Sequence, residues 1–385
     1  MACRAAFVYS SEYLGYKLSD EHPLNPIRLA LTDTLVEDAG LLADPNVFRE
    51  APRPATEDEL LLVHDRPYVD RVRELSSGRR SAYPDIDYGL GSSDNPAFVG
   101  MHDATSLVVG GTLRAAELVM EGRVAHAFNP GGGLHHAARS LASGFCIYND
   151  PAVGIAWLRH RGLRVLYVDT DAHHGDGVQW IFYEDPDVLT ISLHESGRYL
   201  FPGTGGIAER GRAAGYGYAV NVPLQPYTDH ASWTECYDLV VPPLARAFRP
   251  DVVVTQNGCD GHALDPLTHL HAQTPTFEHF ARRAHELAHE LCDGRLVATG
   301  GGGYALWTAV PRAWTAVWAA ISDQPLPELV PPAWRERWAP QSPETLPTRM
   351  HDPIDALRAV PRQQEIAAEN RRVALEVRDR GLPPS

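Results

Sequence analysis

Five short apolar runs, centred near residues 126, 167, 191, 253 and 297, each break off into a polar or glycine-rich loop, and helical segments separate most of them. Continuous Val/Ile/Leu runs of this length suit strands buried on both faces, as in a parallel sheet covered by helices. The expected class is therefore α/β. In open α/β sheets ligands bind in the crevice beyond the carboxyl ends of the strands. That places the chemistry of this chain on one edge of the sheet.

The central run makes the case most sharply. Val165, Leu166, Tyr167 and Val168 give way to Asp169, Asp171, His173, His174 and Asp176 within eight positions. Asp171 and His173 are two apart, so in an extended segment their side chains point the same way. A carboxylate and an imidazole on one side form two-thirds of a catalytic zinc site, which has three protein ligands and an open position. Gly175 and Gly177 let the chain turn sharply after them. Asp260, just beyond the run at Asp251–Thr255, is the natural third ligand. Two further loops belong to the same edge. Three glycines at 131–133 precede Leu134, His135 and His136, and four at 300–303 precede Tyr304. No GK[ST] follows the first run, so it is no phosphate loop; its glycines let backbone approach a ligand. His135 and His136 fit metal ligands, acid/base groups or a solvent-exposed pair equally well at this point.

Charge and cysteine usage narrow the partners. The 385 residues carry 49 acidic against 34 basic side chains, a formal net charge of −15. That argues against nucleic acid, because phosphate binding needs a basic face. Five scattered cysteines, at 3, 146, 236, 259 and 292, fit reduced thiols in a cytoplasmic protein better than a disulfide framework. The start lacks the apolar core of a signal peptide, and no run approaches the 18 or more apolar residues of a membrane span.

Around this centre the chain reads as follows. Ala5–Tyr9 is a plausible first strand, and a helix is expected from Pro26 to near Gly40. Thr56 and Glu59 fit a capping box. Residues 83–100 are a long loop rich in Gly, Ser, Asp and Pro, and loops of that length are usually functional or disordered. A helix should run from about His102 to Met120, and Asn149 should cap another with Pro151 in its first turn. A catalytic domain is expected over 1–320, with 321–385 a Pro-rich, charged extension that packs on it or trails as a loosely held tail. His285-Glu286-Leu287-Ala288-His289 matches the H-E-x-x-H metalloprotease helix. Phe277, Phe280, Ala284, Leu287, Ala288 and Leu291 mark the buried face of that helix, so His285 and His289 are read as surface histidines and a protease as a minor hypothesis. His269 and His271 are read as loop residues.

Several motifs together resemble the histone deacetylase superfamily, and within it the bacterial acetoin utilization protein type. They are PGGGLHHA at 130–137, SGFCIYND at 143–150, DTDAHHGDGV at 169–178, SLH at 192–194, FPGTG at 201–205, D-x4-DPL from Asp260 to Leu267, and GGGGY at 300–304. The resemblance implies a single-domain, three-layer arginase–deacetylase fold, a mainly parallel sheet with helices on both faces. It implies a zinc-dependent deacetylase, with iron(II) as an alternative occupant. Asp171, His173 and Asp260 match the family's metal ligands. His135 and His136 match its tandem histidines, Asp169 and Asp176 the carboxylates bonded to them, and Tyr304 the tyrosine that grips the substrate carbonyl. Asp169, Asp171, His173, Ser192 and Leu193 resemble an inner potassium or sodium site, and Phe182, Asp185, Val188 and Tyr218 a second, weaker one. Gly144, Phe145 and Phe201 match the walls of the acyl-lysine channel, Asp94 a loop carboxylate that holds substrate backbone, and Leu267 its rim. Arg28 resembles an arginine near an internal acetate cavity.

The implied reaction is hydrolysis of N6-acetyl-lysine in proteins or peptides to lysine and acetate, with no nucleic acid or membrane partner. His136 would take the water proton and Tyr304 would hold the oxyanion. The alternatives are an acetylpolyamine amidohydrolase and an inactive acyl-lysine binding protein.

Overall fold

The computed structural model describes residues 4–78, 84–353, 357 and 359–382. Cys3 and Tyr83 lie outside the described residues. The other four cysteines are free and buried. Eight strands form one sheet: β1 (Ala5–Val8), β2 (Val47–Glu50), β3 (His126–Asn129), β4 (Val165–Asp169), β5 (Val188–Glu195), β6 (Ala219–Leu224), β7 (Val252–Gln256) and β8 (Leu296–Thr299). Their order is β2-β1-β3-β8-β7-β4-β5-β6, and every pairing is parallel.

The expected strands are present. The sequence reading missed β2 and β6, and these are the two edges. A central strand is a pure apolar run, whereas an edge strand carries charges or proline that discourage pairing with another chain. VFRE and AVNVPL have that composition, so neither stands out from a loop.

The helices among the described residues are α1 (Ile27–Asp38), α2 (Glu57–Leu60), α3 (Arg66–Ser76), α4 (Met101–Met120), α5 (Asp150–Arg159), α6 (Asp176–Ile181), α7 (His230–Phe248), α8 (Thr274–Leu291), α9 (Val310–Ile321), α10 (Pro332–Trp338) and α11 (Gln363–Arg380). They cover both faces of the sheet. The expected caps form. Thr56 Oγ1 accepts from Glu59 N at 3.3 Å while Glu59 Oε2 accepts from Thr56 N at 2.7 Å. Asn149 Oδ1 accepts from Ala152 N at 2.9 Å and starts α5. No helix of the described residues is long and apolar enough to cross a membrane.

The chain after residue 320 is held more tightly than its composition implied. Val330, Trp334, Trp338 and Met350 bury against Leu31 and Leu35 of α1. Asn370 of α11 accepts from Gln225 N at 2.9 Å and donates to Thr228 Oγ1 at 2.7 Å and Ser232 Oγ at 3.0 Å. These tryptophans and this asparagine are isolated anchors among polar residues, a pattern that periodicity does not detect.

Asp352 is the most concentrated of these anchors. It meets His262 Nε2 at 2.8 Å, Thr274 N at 2.9 Å and the Arg312 guanidinium at 2.8 Å. Burial alone would raise its carboxyl pKa. The His262 hydrogen bond, with the charges of His262 and Arg312, outweighs burial and holds it well below the usual carboxylate range. A lowered folded-state value gives stability that is present above the unfolded value, about 3.9, and is lost as pH falls through the folded one. Asp352→Ala leaves Arg312 buried without its charge partner, which should cost on the order of 3 kcal/mol, read as a lower urea midpoint at pH 7. Asp352→Asn should also flatten the loss of stability below about pH 4. An unchanged midpoint in Asp352→Ala would remove this anchor from the account.

Candidate active site

The site lies where β3, β4, β7 and β8 release the chain at their carboxyl ends. β4 stops at Asp169, and the next residues leave the sheet in a series of bends. Asp171 and His173 are therefore not in extended backbone, as the two-residue spacing had assumed. They converge because the bend folds back on itself: His173 N donates to Asp171 Oδ1 at 3.0 Å.

Asp171, His173 and Asp260 come together with their donor atoms within 4.8 Å of one another. His173 Nδ1 lies 3.1 Å from Asp171 Oδ1 and 2.8 Å from Asp260 Oδ2. The outer oxygens are already committed. Asp171 Oδ2 accepts from Gln256 Nε2 and Gly302 N, both at 2.7 Å, and Asp260 Oδ1 accepts from Ala172 N at 2.8 Å. Each carboxylate thus presents one oxygen to a common point. Both are fully buried, and buried charges need a partner. Burial, and then the neighbouring Asp171 charge, push Asp260 up to about 6. Two anionic oxygens and one imidazole nitrogen around a shared point fit a divalent zinc-like ion, which relieves the repulsion that raises Asp260.

The tandem histidines sit beside this set and are not solvent-exposed. His135 Nδ1 donates to Asp169 Oδ2 at 2.8 Å, and His136 Nδ1 to Asp176 Oδ1 at 2.7 Å. Each carboxylate fixes the ring and its tautomer. The two Nε2 atoms are 3.0 Å apart, so a proton must lie between them. Burial lowers both rings. At His135 the charges of Asp169 and Asp171 reverse this and raise its pKa to about 9. At His136 burial wins, helped by the His135 charge, and lowers it to about 4. Burial and the neighbouring charges thus push the two rings in opposite directions.

Tyr304 faces them across a narrow cleft that Leu24, His135, His136, Gly144 and Phe145 also line. Burial, then the charges of Asp260 and Asp171, keep its hydroxyl well above the usual tyrosine range, so it stays a donor. The glycines before it are there for space. A Cβ at Gly302 would stand 2.2 Å from Asp260 Oδ2, and one at Gly133 2.4 Å from Gly300 O.

The channel residues divide. Phe145 packs edge-on to Tyr304 at 5.8 Å, with a positive φ of 69° that Tyr16 helps hold by donating to its carbonyl at 2.7 Å. Gly144 is required because a Cβ there would lie 2.3 Å from His136 Cδ2. Phe201 is half-exposed and packs on His136 at 5.0 Å. Asp94 is exposed, and its carbonyl lies 3.3 Å from His22 Nε2, whose ring packs on Phe145 at 4.5 Å. Leu267 is half-buried in the Asp265 turn and, like Phe201 and Asp94, stands outside the cleft lining. Arg28 is buried and donates to Gly303 O at 3.0 Å, bracing the backbone before Tyr304.

At the suggested cation sites, Asp169 stands opposite Ser192 in the β4–β5 register, with Leu193 buried beside it. Asp185 is engaged by Arg159 at 2.9 Å, and the carbonyls of Phe182 and Tyr218 accept from Asp185 N and Thr190 N. Val188 begins β5.

Four contributors were missed in the sequence. Gln256 donates to Asp171, and Tyr167 donates to Asp169 at 2.6 Å. His22 backs the Phe145 wall. Asp265 accepts from Tyr304 N at 2.8 Å and Leu267 N at 3.0 Å, and burial, then the Asp260 charge, raise it to about 8. Only the position of Asp265 inside D-x4-DPL could have flagged it. A second correction concerns the H-E-x-x-H helix. His285 and His289 are not simply surface groups; both reach fully buried His126 of β3, at ring distances of 4.6 and 5.0 Å.

Comparison with known proteins agrees with this geometry. The family model for the histone deacetylase domain matches residues 22–321. Acetoin utilization protein AcuC of Bacillus subtilis (strain 168) is 47% identical over 367 residues, 95% of this chain and 94% of that protein. The protein of the same name from Staphylococcus aureus (strain MSSA476) is 43% identical over 376 residues, 97% of this chain and 96% of that one. The crystal structure of a histone deacetylase homolog from Aquifex aeolicus is 31% identical and superposes with a TM-score of 0.83 over 95% of this chain and 99% of that one.

Proposed function

The chain belongs to the histone deacetylase family, and from that premise we propose that it is a zinc-dependent, cytoplasmic deacetylase of N6-acetyl-lysine in proteins or peptides. The catalytic domain is assigned to residues 1–320, with 321–385 as an extension packed on it. The observation that carries the substrate assignment is the cleft lining. Among the described residues that line it, the one carboxylate is Asp171, which belongs to the metal set. The four-carbon stem of acetyl-lysine is apolar once its amine is acylated, and the Phe145 ring of the lining suits it, with Phe201 packed on His136 just outside. A polyamine carries further ammonium groups that need an acidic partner when desolvated.

Asp171, His173 and Asp260 would hold the zinc ion, with iron(II) as an alternative. Bound there, it supplies a Lewis acid for the amide carbonyl and lowers the pKa of water to about 7. The chain's own groups do the rest. His136 accepts the water proton at Nε2, and Asp176 at its Nδ1 stabilises the imidazolium so formed. The Tyr304 hydroxyl keeps its proton and donates a hydrogen bond to the oxygen that becomes negative. The histidine pair returns a proton to the departing lysine amine. Asp265 and Arg28 position Tyr304 through its backbone. The sodium or potassium sites at Asp169–Leu193 and Phe182–Tyr218 would be structural.

Asp171→Ala and Asp260→Ala should each lose zinc from this site and turnover together, checked by metal analysis beside an acetyl-lysine peptide assay. Full zinc occupancy of this site in both would place the metal elsewhere. An inactive reader would bind the peptide and never turn it over, with or without zinc.

Tyr304→Phe should keep zinc and lose about a hundred- to thousandfold in kcat, the range for one oxyanion donor. A near-normal kcat would take the hydroxyl out of the mechanism.

The substrate class is tested by kcat/KM for an acetyl-lysine peptide against acetylputrescine. The peptide should be preferred, and Leu267→Glu should move the ratio toward the polyamine. A higher wild-type value for acetylputrescine would make this an acetylpolyamine amidohydrolase.

A further inference from the structure

A second group of metal-ligating side chains lies at the opposite end of the sheet. His126 opens β3, three residues before Asn129, so it stands about 10 Å upstream of the catalytic edge. It is fully buried. His285 and His289, one turn apart on α8, converge on it, and the three imidazoles each offer a nitrogen within 4.8 Å of the others. We propose that His126, His285 and His289 form a second metal site, which takes a late first-row divalent ion such as zinc and clamps α8 to β3.

The geometry suits such an ion. His126 Nε2 and His289 Nε2 are 3.1 Å apart, a hydrogen bond whose shared proton the ion would replace. Two nitrogens bound tetrahedrally to zinc at about 2.0–2.1 Å lie about 3.3–3.4 Å apart, so these two need to move by only a few tenths of an ångström. His285 Nδ1 lies 3.3 Å from the carbonyl oxygen of Ile321, which can only accept. That contact puts the proton on Nδ1 and leaves the Nε2 lone pair for a ligand, as carbonyls beside metal-bound histidines do. Gly294 gives His289 its room, since a Cβ there would stand 2.9 Å from His289 Cε1. The ligands sit on rigid elements. β3 is paired on both sides, and α8 is anchored by buried Phe277, Phe280 and Leu287. His289 is exposed and gives the ion a way in from solvent.

Three neutral imidazoles select zinc, nickel or copper over magnesium or calcium, which prefer oxygen. The site is not a peptidase centre. In H-E-x-x-H enzymes the glutamate serves the metal-bound water, but Glu286 is exposed and paired with Arg283, which also bonds Asp238 at 2.8 Å. The site binds a cation and lacks a base, which makes it a cross-link between strand and helix.

The test counts zinc. The full-length protein is stripped with chelator, equilibrated with zinc and analysed for bound metal beside His289→Ala. His279→Ala, on the same helix, is the control. His289→Ala should bind one equivalent fewer than wild type and lose the rise in Tm that zinc gives through this site, while far-UV circular dichroism and deacetylase turnover are retained. His279→Ala should match wild type. The comparison is between variants, so it holds whatever the catalytic centre binds. Equal zinc counts in wild type and His289→Ala, or the same loss in His279→Ala, would overturn the proposal.

Discussion

The cost of burying negative charge organises this fold. Asp150, Asp169, Asp171 and Asp260 are fully buried within one sheet edge. An ionised carboxylate in such a place must be paired or richly hydrogen-bonded. Asp150 accepts from Gly133 N and Leu134 N at 2.8–3.0 Å and from Thr112, and so holds the loop that delivers His135. Asp169 takes His135, Tyr167 and the Asp171 amide. Asp171 and Asp260 divide their oxygens between protein donors and a shared point. A parallel sheet makes this arrangement available. All its strands end on one edge, where loop N–H groups are free to face inward.

Close approach is the second requirement, and it accounts for the glycines without reference to flexibility. Gly258 and Gly302 lie against Asp171 and Asp260, where an added Cβ would come within 2.2 Å of a carboxylate oxygen. Gly175 does the same beside Asp169. The glycine runs let backbone amides and carboxylates occupy a volume that side chains would otherwise fill. An alanine at Gly302 would displace the buried Asp260 carboxylate, not merely stiffen a loop.

Much of this was legible. The interior strands are apolar runs with polar ends, and the metal set could be assembled from Asp171, His173 and Asp260 because strand ends share an edge. Caps at Thr56 and Asn149 follow from local chemistry and formed as read. The reading failed where the determining partner is far away in sequence. β2 and β6 are strands because a neighbour pairs with them, despite VFRE and AVNVPL having edge composition. His285 and His289 lie beside an apolar stripe, and nothing local reveals that His126, some 160 residues earlier, faces them. Gln256 and Asp265 act through hydrogen bonds that no spacing encodes. The bend after Asp169 departs from the extended segment that the spacing had assumed. Asp171 and His173 converge by a folded-back loop, not by strand alternation.

The extension beyond residue 320 belongs to the same economy of buried charge. Asp352 binds His262 Nε2, and His262 lies two residues after the metal-set Asp260 and three before Asp265. Asp265 in turn holds the Tyr304 amide. A continuous chain of bonds therefore runs from the C-terminal segment through the 260–267 loop to both the Asp171–His173–Asp260 cluster and Tyr304. Arg312 of α9 closes it by meeting the same Asp352 carboxylate. Preorganised donors are effective because they do not reorganise during reaction, and a loop without secondary structure needs outside bracing to be preorganised. In this chain the brace for one side of the active site comes from residues that the deacetylase motifs do not include.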